Sequence, residues 1–228
     1  MNIVYEDKDQ IVIHKPAGVA TQTARLGEKD LISEVKNHIA RSSGGNNPYV
    51  AVINRLDQPV EGIVLFAKNA KAAAVLSSQM QDGSMEKYYL AAIYGNMDTT
   101  EDTLVDYLQK DGKTNTSKVV LANAKDAKKA ILEYTVEATT ENMQLVRIHL
   151  LTGRHHQIRV QFSNRKHPLI GDTKYGTELS KAFTRECNVR VPALCAYKLL
   201  WKHPVTGKDM EINVEPENAV IQELRKCK

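Results

Sequence analysis

Asn54-Arg55-Leu56-Asp57-Gln58-Pro59-Val60-Glu61-Gly62 stands between two apolar runs, Val50-Ala51-Val52-Ile53 and Ile63 to Ala67. Runs of this length rich in Val and Ile, separated by a Pro- and Gly-containing polar segment, predict strand, turn, strand. A second stretch, Leu151-Thr152-Gly153-Arg154-His155-His156-Gln157-Ile158-Arg159, follows another apolar strand, Leu145 to Leu151. Each sets charged groups at the end of a buried element. If the distant arginine meets Asp57, the two form a desolvated ion pair, and a site is expected there.

Working outward, Ile11-Val12-Ile13 predicts a short strand ended by His14-Lys15-Pro16-Ala17-Gly18. Leu31, Ile32, Val35 and Ile39 recur at helical spacing through Arg41, and a loop is expected over Ser42 to Pro48. Asn69 is placed to cap an alanine-rich helix that runs through Met80 and stops at Gly83. Strands are expected at Lys87–Tyr94, Lys118–Leu121, Ala130–Val136 and Gln144–Leu151, and a helix from Gln157 to Phe162. Leu199–Trp201 and Met210–Val214 suit a hairpin around His203-Pro204-Val205-Thr206-Gly207, and Glu217–Lys226 a closing helix. No repeat or linker interrupts the pattern. The expectation is one domain over residues 1–228, of the mixed α+β class, with a largely antiparallel sheet and flanking helices.

A hydrophobic fraction of 42% with 25% charged residues excludes a disordered or membrane-embedded chain. No apolar run reaches the roughly 20 residues of a membrane span, and the start has neither a basic n-region nor an apolar core for secretion. Cys187, Cys195 and Cys227 are odd in number and unrelated in spacing, so reduced thiols and a cytoplasmic protein are expected. The net charge of +4 is small, but its distribution is uneven. From Arg147 to Lys174 the only acid is Asp172, and from Lys181 to Lys208 the only acid is Glu186. Acids gather instead around Asp98, Glu101, Asp102 and Asp106. Two successive basic segments beside a candidate site favour a polyanion such as a nucleic acid.

His155, His156 and His167 lack a cysteine or carboxylate at zinc-ligand spacing, and adjacent histidines at a helix start are expected to point apart, so no metal is expected. No GxGxxG or GxxxxGK[ST] segment occurs, and nothing pairs a base with Cys187 or Cys195, so no organic cofactor or thiol nucleophile is expected. Asp57 remains. By itself it reads equally as a turn-capping aspartate ahead of Gln58-Pro59.

The ordered set of motifs resembles the RluA family of pseudouridine synthases. It runs from Ile13-His14-Lys15-Pro16-Ala17-Gly18 through Arg55-Leu56-Asp57 with Gly62, then Glu86-Lys87-Tyr88-Tyr89-Leu90-Ala91. It continues through Thr152-Gly153-Arg154 with His156-Gln157-Ile158-Arg159, and His167-Pro168-Leu169-Ile170-Gly171-Asp172 with Tyr175-Gly176. The resemblance implies a pseudouridine synthase-like catalytic domain that isomerises uridine in tRNA or rRNA, acting as a cytoplasmic monomer without cofactor. It implies Asp57 as the catalytic aspartate, Tyr89 as the tyrosine that stacks on the target base, and Arg159 as the basic partner of the aspartate. Arg55 is implied to enter the RNA stack when the uridine leaves it, with Lys15, Arg154, His156 and Gln157 as further RNA contacts.

Five positions depart from the family's usual pattern. Asn54 stands where histidine is usual, Val60-Glu61 where Thr-Ser is usual, His155 where threonine is common, and Cys195 where the late segment usually has histidine. The sequence leaves no room before Ile3 for the small S4-type domain of many relatives, so RNA binding is expected from the catalytic domain itself. The rival expectations are an inactive RNA-binding or ribosome-assembly protein with the same fold, and an aspartate-dependent hydrolase of another polyanion.

Overall fold

The computed structural model describes residues 1–23, 30–43 and 47–227. They group into two compact units, Met1–Glu86 with Ala196–Glu215, and Lys87–Cys195 with the segment from Pro216 onward. In chain order the first unit contributes β1 (Asn2–Glu6), β2 (Gln10–Lys15), α1 (Leu31–Ser43), β3 (Ala51–Val52), β4 (Glu61–Ala67) and α2 (Ala70–Asp82). The second follows with β5 (Glu86–Tyr94), β6 (Glu101–Asp111), β7 (Thr116–Val120), β8 (Lys128–Thr139), β9 (Met143–Leu150), α3 (Gln157–Asn164) and α4 (Glu178–Glu186). The chain then returns to the first unit with β10 (Leu194–Lys202) and β11 (Asp209–Asn213), and ends in the second with α5 (Ala219–Arg225).

Strands of the first unit lie in the order β1-β2-β4-β10, with β11 on β10 and β3 on β4. β2 and β4 are buried at every position, which is why they read as continuous apolar runs without alternation. Val12, Ile63, Leu65, Leu76, Leu199 and Trp201 form the core between the sheet and α2. Trp201 donates from its indole to Gln10 Oε1 at 2.9 Å, so its one polar atom is satisfied in the interior. Asn69 caps α2 by accepting from the Ala72 N–H at 2.9 Å, and Gly83 ends the helix at φ +83°. The hairpin around His203 forms as expected, with Trp201 opposite Met210.

The second unit is an antiparallel sheet in the order β5-β9-β8-β6-β7, with α3 and α5 packed on it. The mixed, largely antiparallel α+β architecture is therefore as expected. Three elements were not. β6 carries Glu101, Asp102 and Asp106 and buries only Leu104 and Leu108, so its charge hid its alternation. β1 and α4 also escaped notice, both being short and mostly exposed. The expected Val50–Ile53 strand shortens to Ala51–Val52, because Asn54 turns its side chain onto β4 in place of backbone. The loop expected at Ser42–Pro48 begins later than expected, because α1 continues through Ser43; residues 44–46 lie outside the described residues. Among the described residues no helix is long and apolar enough to cross a membrane.

Candidate active site

The turn that carries Asp57 is tied down on three sides. Asn54, itself buried, donates from Nδ2 to the Ile63 carbonyl at 2.9 Å and accepts the Leu65 N–H on Oδ1 at 2.7 Å. A carboxamide offers the same donor and acceptor as a peptide group, so it completes the ladder where β3 has stopped. Next along, Leu56 exchanges two hydrogen bonds with Thr21: its carbonyl accepts from Oγ1 at 3.0 Å and its N–H donates to Oγ1 at 3.2 Å. The Val60 N–H closes the turn on the Asp57 carbonyl at 3.0 Å. Leu56 and Val60 are buried, Arg55 is exposed, and Asp57 is partly exposed. A rigid turn thus presents one carboxylate at the surface.

The third tie is Lys15. Its side chain is wholly buried, and Nζ donates to the carbonyls of Val19 at 2.7 Å, Pro16 at 3.0 Å and Gln58 at 3.1 Å. Gly18, at φ +91°, donates its N–H to the same Gln58 carbonyl at 2.8 Å, and Gln58 Nε2 returns a bond to the Gly18 carbonyl at 3.0 Å. Burial pulls the Lys15 pKa down to about 8, against the opposing charges of Asp57 and Glu61. Glu61 is buried at the first position of β4. Next to it, Gly62 has φ +127°, and a Cβ there would run into the Ala196 backbone, which explains the glycine.

In the second unit Tyr89 lies on β5 opposite Ile148 of β9 and is buried. Arg159 is on α3 and is buried too, not the surface charge that helices usually carry. Its guanidinium holds Asp172 through both oxygens, Nε to Oδ2 at 2.6 Å and Nη2 to Oδ1 at 2.8 Å. Asp172 Oδ1 also accepts the N–H groups of Lys174 at 3.0 Å and Tyr175 at 3.1 Å, and the Arg159 Cζ lies 5.1 Å from the centre of the Tyr175 ring. This planar two-point clamp fixes the orientation of the arginine. Asp172 was visible in the sequence only as the lone acid of a basic run, and its pairing with Arg159 was missed.

α3 starts at His156 in the left-handed region, φ +54°, without a side-chain cap. Gln157 replaces the cap: Oε1 accepts from the Arg154 N–H at 3.0 Å and from Thr152 Oγ1 at 2.8 Å, while Nε2 donates to the Ile131 carbonyl at 3.0 Å. His156 Nδ1 meets the Tyr175 hydroxyl at 2.6 Å and His155 Nδ1 meets Ser117 Oγ at 2.9 Å. The two imidazoles do not point apart as expected; they stack with centroids 3.7 Å apart, because the left-handed residue turns the second ring back over the first.

These geometries correct part of the expected RNA surface. Lys15, His156 and Gln157 are buried, and the hydrogen bonds described for them run to protein groups. Their side chains build the frame of the site and do not face solvent. Arg55 and Arg154 are exposed, Arg154 with its Nε on the Lys129 carbonyl at 2.8 Å. The basic segments are also less basic when folded. Arg147 pairs with Glu137, Arg165 with Asp106, Lys198 with Glu211 and Lys202 with Asp209.

One group of described residues, Asp7, Asp9 and His203, has its ligand atoms within 4.8 Å of one another. The His203 Nδ1 accepts the Val205 and Thr206 N–H groups at 3.2 and 3.1 Å, so the ring proton sits on Nε2, which donates to Asp7 Oδ2 at 2.9 Å. A metal on Nε2 would require the opposite tautomer, so these residues fit a hydrogen-bonded clamp better than a metal centre. Burial pushes the Asp7 carboxyl up, but hydrogen bonds from the Asp9 N–H, His203, Tyr5 and the Gln10 N–H outweigh it and hold it at about 2.

The fold and the residues define a carboxylate on a braced turn in the first unit and a clamped arginine in the second. Residues 9–164 match the family model described as RNA pseudouridylate synthase. A ribosomal large subunit pseudouridine synthase D of Vibrio cholerae is 30% identical over 230 residues, covering 97% of this chain and 69% of the relative. An RNA pseudouridine synthase of Mycoplasma pneumoniae, described as uncharacterized, is 28% identical over 98% of this chain and 69% of its own length. Among solved structures, human RNA pseudouridylate synthase domain containing 4 superposes with a TM-score of 0.77 at 21% identity, covering 98% of this chain and 93% of that one. The chain belongs to the RNA pseudouridylate synthase family, in its RluA branch, as the motifs implied. It is an enzyme, an isomerase that converts uridine to pseudouridine in RNA.

Proposed function

We propose that this chain, working as one catalytic domain and as a cytoplasmic monomer, isomerises uridine in ribosomal RNA, with Asp57, Tyr89 and Arg159 carrying the chemistry. The observation that carries the site is the Asp57 turn. Its neighbours are locked by Asn54, Thr21 and Lys15, yet its carboxylate stays partly exposed. The choice of ribosomal RNA follows the names of the Vibrio relatives at 30 and 31% identity.

In the reaction the N1–C1′ bond breaks, a C5–C1′ bond forms, C5 loses a proton and N1 ends with one. Atoms and electrons balance without oxidant, reductant or co-substrate. The base must leave the helix to turn, at a cost of a few kcal/mol, and exposed Arg55 fills the space it vacates. Asp57 acts at the sugar, beside C1′ and C2′. Tyr89 stacks on the base and assists loss of the C5 proton. Arg159, oriented by Asp172, contributes a fixed positive charge to the chemistry. Arg154 contributes phosphate contact.

Tritium release from 5-tritiated uridine in transcribed rRNA fragments and tRNAs tests this. Wild type should release tritium from rRNA, and Asp57→Asn should be slower by at least about 10²-fold. Release from tRNA alone moves the substrate assignment. Intact RNA binding with no release from either pool would falsify the catalytic reading of this site.

A further inference from the structure

The charge arrangement beneath Asp57 belongs to this chain, and its consequence rests on the active-site reading above. We propose that Lys15 and Glu61 are paired positioning residues for Asp57: the Lys15 ammonium clasps the turn, Glu61 keeps that ammonium charged, and loss of its proton sets the alkaline limit of the reaction.

Lys15 ends β2, opposite Gly62 of β4, and donates to one carbonyl each of Pro16, Val19 and Gln58. Three donated bonds use the three N–H groups of an ammonium; a neutral amine has two. When the proton leaves, one of these three bonds is lost. The Gln58 carbonyl, with the longest of the three bonds, is the one attached directly to the Asp57 turn. The same event removes the buried cation on which Asp57 and Glu61 both act. Without that attraction the turn relaxes.

The surroundings leave few other groups to titrate. The loop from Pro16 to Thr21 is Pro-Ala-Gly-Val-Ala-Thr and offers only carbonyls and a hydroxyl. β1 runs out at Asn2, opposite His14, with the Met1 amino group beyond it. The turn adds Arg55, which is exposed. Glu61 is buried, and its charge acts on the Lys15 ammonium.

Stability and activity move in opposite directions here, which separates positioning from folding. Lys15 has a folded pKa of about 8 against 10.5 for the free side chain. The unfolded chain therefore binds more protons across that window, and folding becomes more favourable as pH rises through it. Activity falls over the same range because the charged form is the one that holds the turn.

The experiment is the pH profile of tritium release from about pH 6 to about pH 10, with kcat and KM separated, for wild type, Glu61→Gln and Lys15→Met. Wild-type kcat should fall above about pH 8 while KM and the melting temperature do not worsen. Glu61→Gln removes a supporting anion, so its limb should move down by roughly one pH unit. Lys15→Met should lose about 10²-fold in kcat at neutral pH, the scale of a misplaced reacting group, and show no such limb. Ionisation of the uracil ring affects all three proteins alike, so the difference between profiles is the readout. If Lys15→Met does not fold, the Glu61→Gln profile decides alone. Superposed wild-type and Glu61→Gln profiles overturn the inference and leave the function untouched. Absence of release by wild type removes the function itself.

Discussion

Asn54 shows how one side chain can take the place of a strand. The backbone of β3 pairs through Ile53, whose N–H reaches the Leu65 carbonyl at 3.0 Å, and then turns away. The next β4 groups, the Leu65 N–H and Ile63 carbonyl, are matched by the carboxamide instead. Asn54→Ala leaves both unpaired in the interior, so a loss of about 2 kcal/mol is expected in chemical denaturation, with a fall in kcat larger than the change in KM as Asp57 loses its brace. A stability matching wild type would show that water replaces the carboxamide. The residues proposed to touch the reaction were legible in the sequence; those that hold them were not. Asp57, Tyr89 and Arg159 sit in recognisable local strings. Their supports come from elsewhere in the chain: Asp172 is 13 residues from Arg159, Thr21 is 35 from Leu56, and Lys15 is 43 from Gln58. Such distances are bridged only by folding, and no local pattern encodes them.

At the scale of elements, what could be read was what is buried on a regular period. The fully buried β2 and β4 were recognised as apolar runs, and α2 by its cap and its stop. β6 was lost because its acids have partners far along the chain: Asp106 meets Arg165 at 2.7 Å and Gln161 Nε2 at 2.7 Å. An acid with a buried partner is structural, yet in sequence it resembles a solvated loop. The contact of β4 with β10 carries a tight constraint. Gly62 is in a left-handed conformation with Ala196 backbone against its α-carbon. Gly62→Ala therefore meets both a backbone penalty and a collision, and a loss of more than about 3 kcal/mol is expected. A melting temperature within a degree or two of wild type would show that β10 can step aside.

For the molecule as a whole, the long reach of its contacts decides how it responds to acid and how it is made. Asp7 and His203, 196 residues apart, close the first unit with a 2.9 Å bond. The folded Asp7 pKa of about 2 lies below the usual 3.8, so its contribution is complete above about pH 4 and disappears as pH falls through 2. That difference corresponds to about 2 kcal/mol. Asp7→Asn should lower the urea midpoint at neutral pH and flatten its decline in acid; an unchanged acid limb would exclude Asp7 as its source. The basic bias visible along the sequence behaves similarly, since acids from distant strands answer many of the arginines and lysines. The division of the chain also bears on its birth at the ribosome. The first unit is discontinuous: β4 waits for β10, and more than a hundred residues separate the end of α2 from the start of β10. At about 5–20 residues per second, the Gly62 end of β4 waits on the order of ten seconds for Ala196 of β10 during translation. The amino-terminal half of a nascent chain cannot complete its own sheet. A truncated product ending before β10 leaves Ile63 and Leu65 without Leu199 and Trp201 of their core, a natural target for chaperones and proteases.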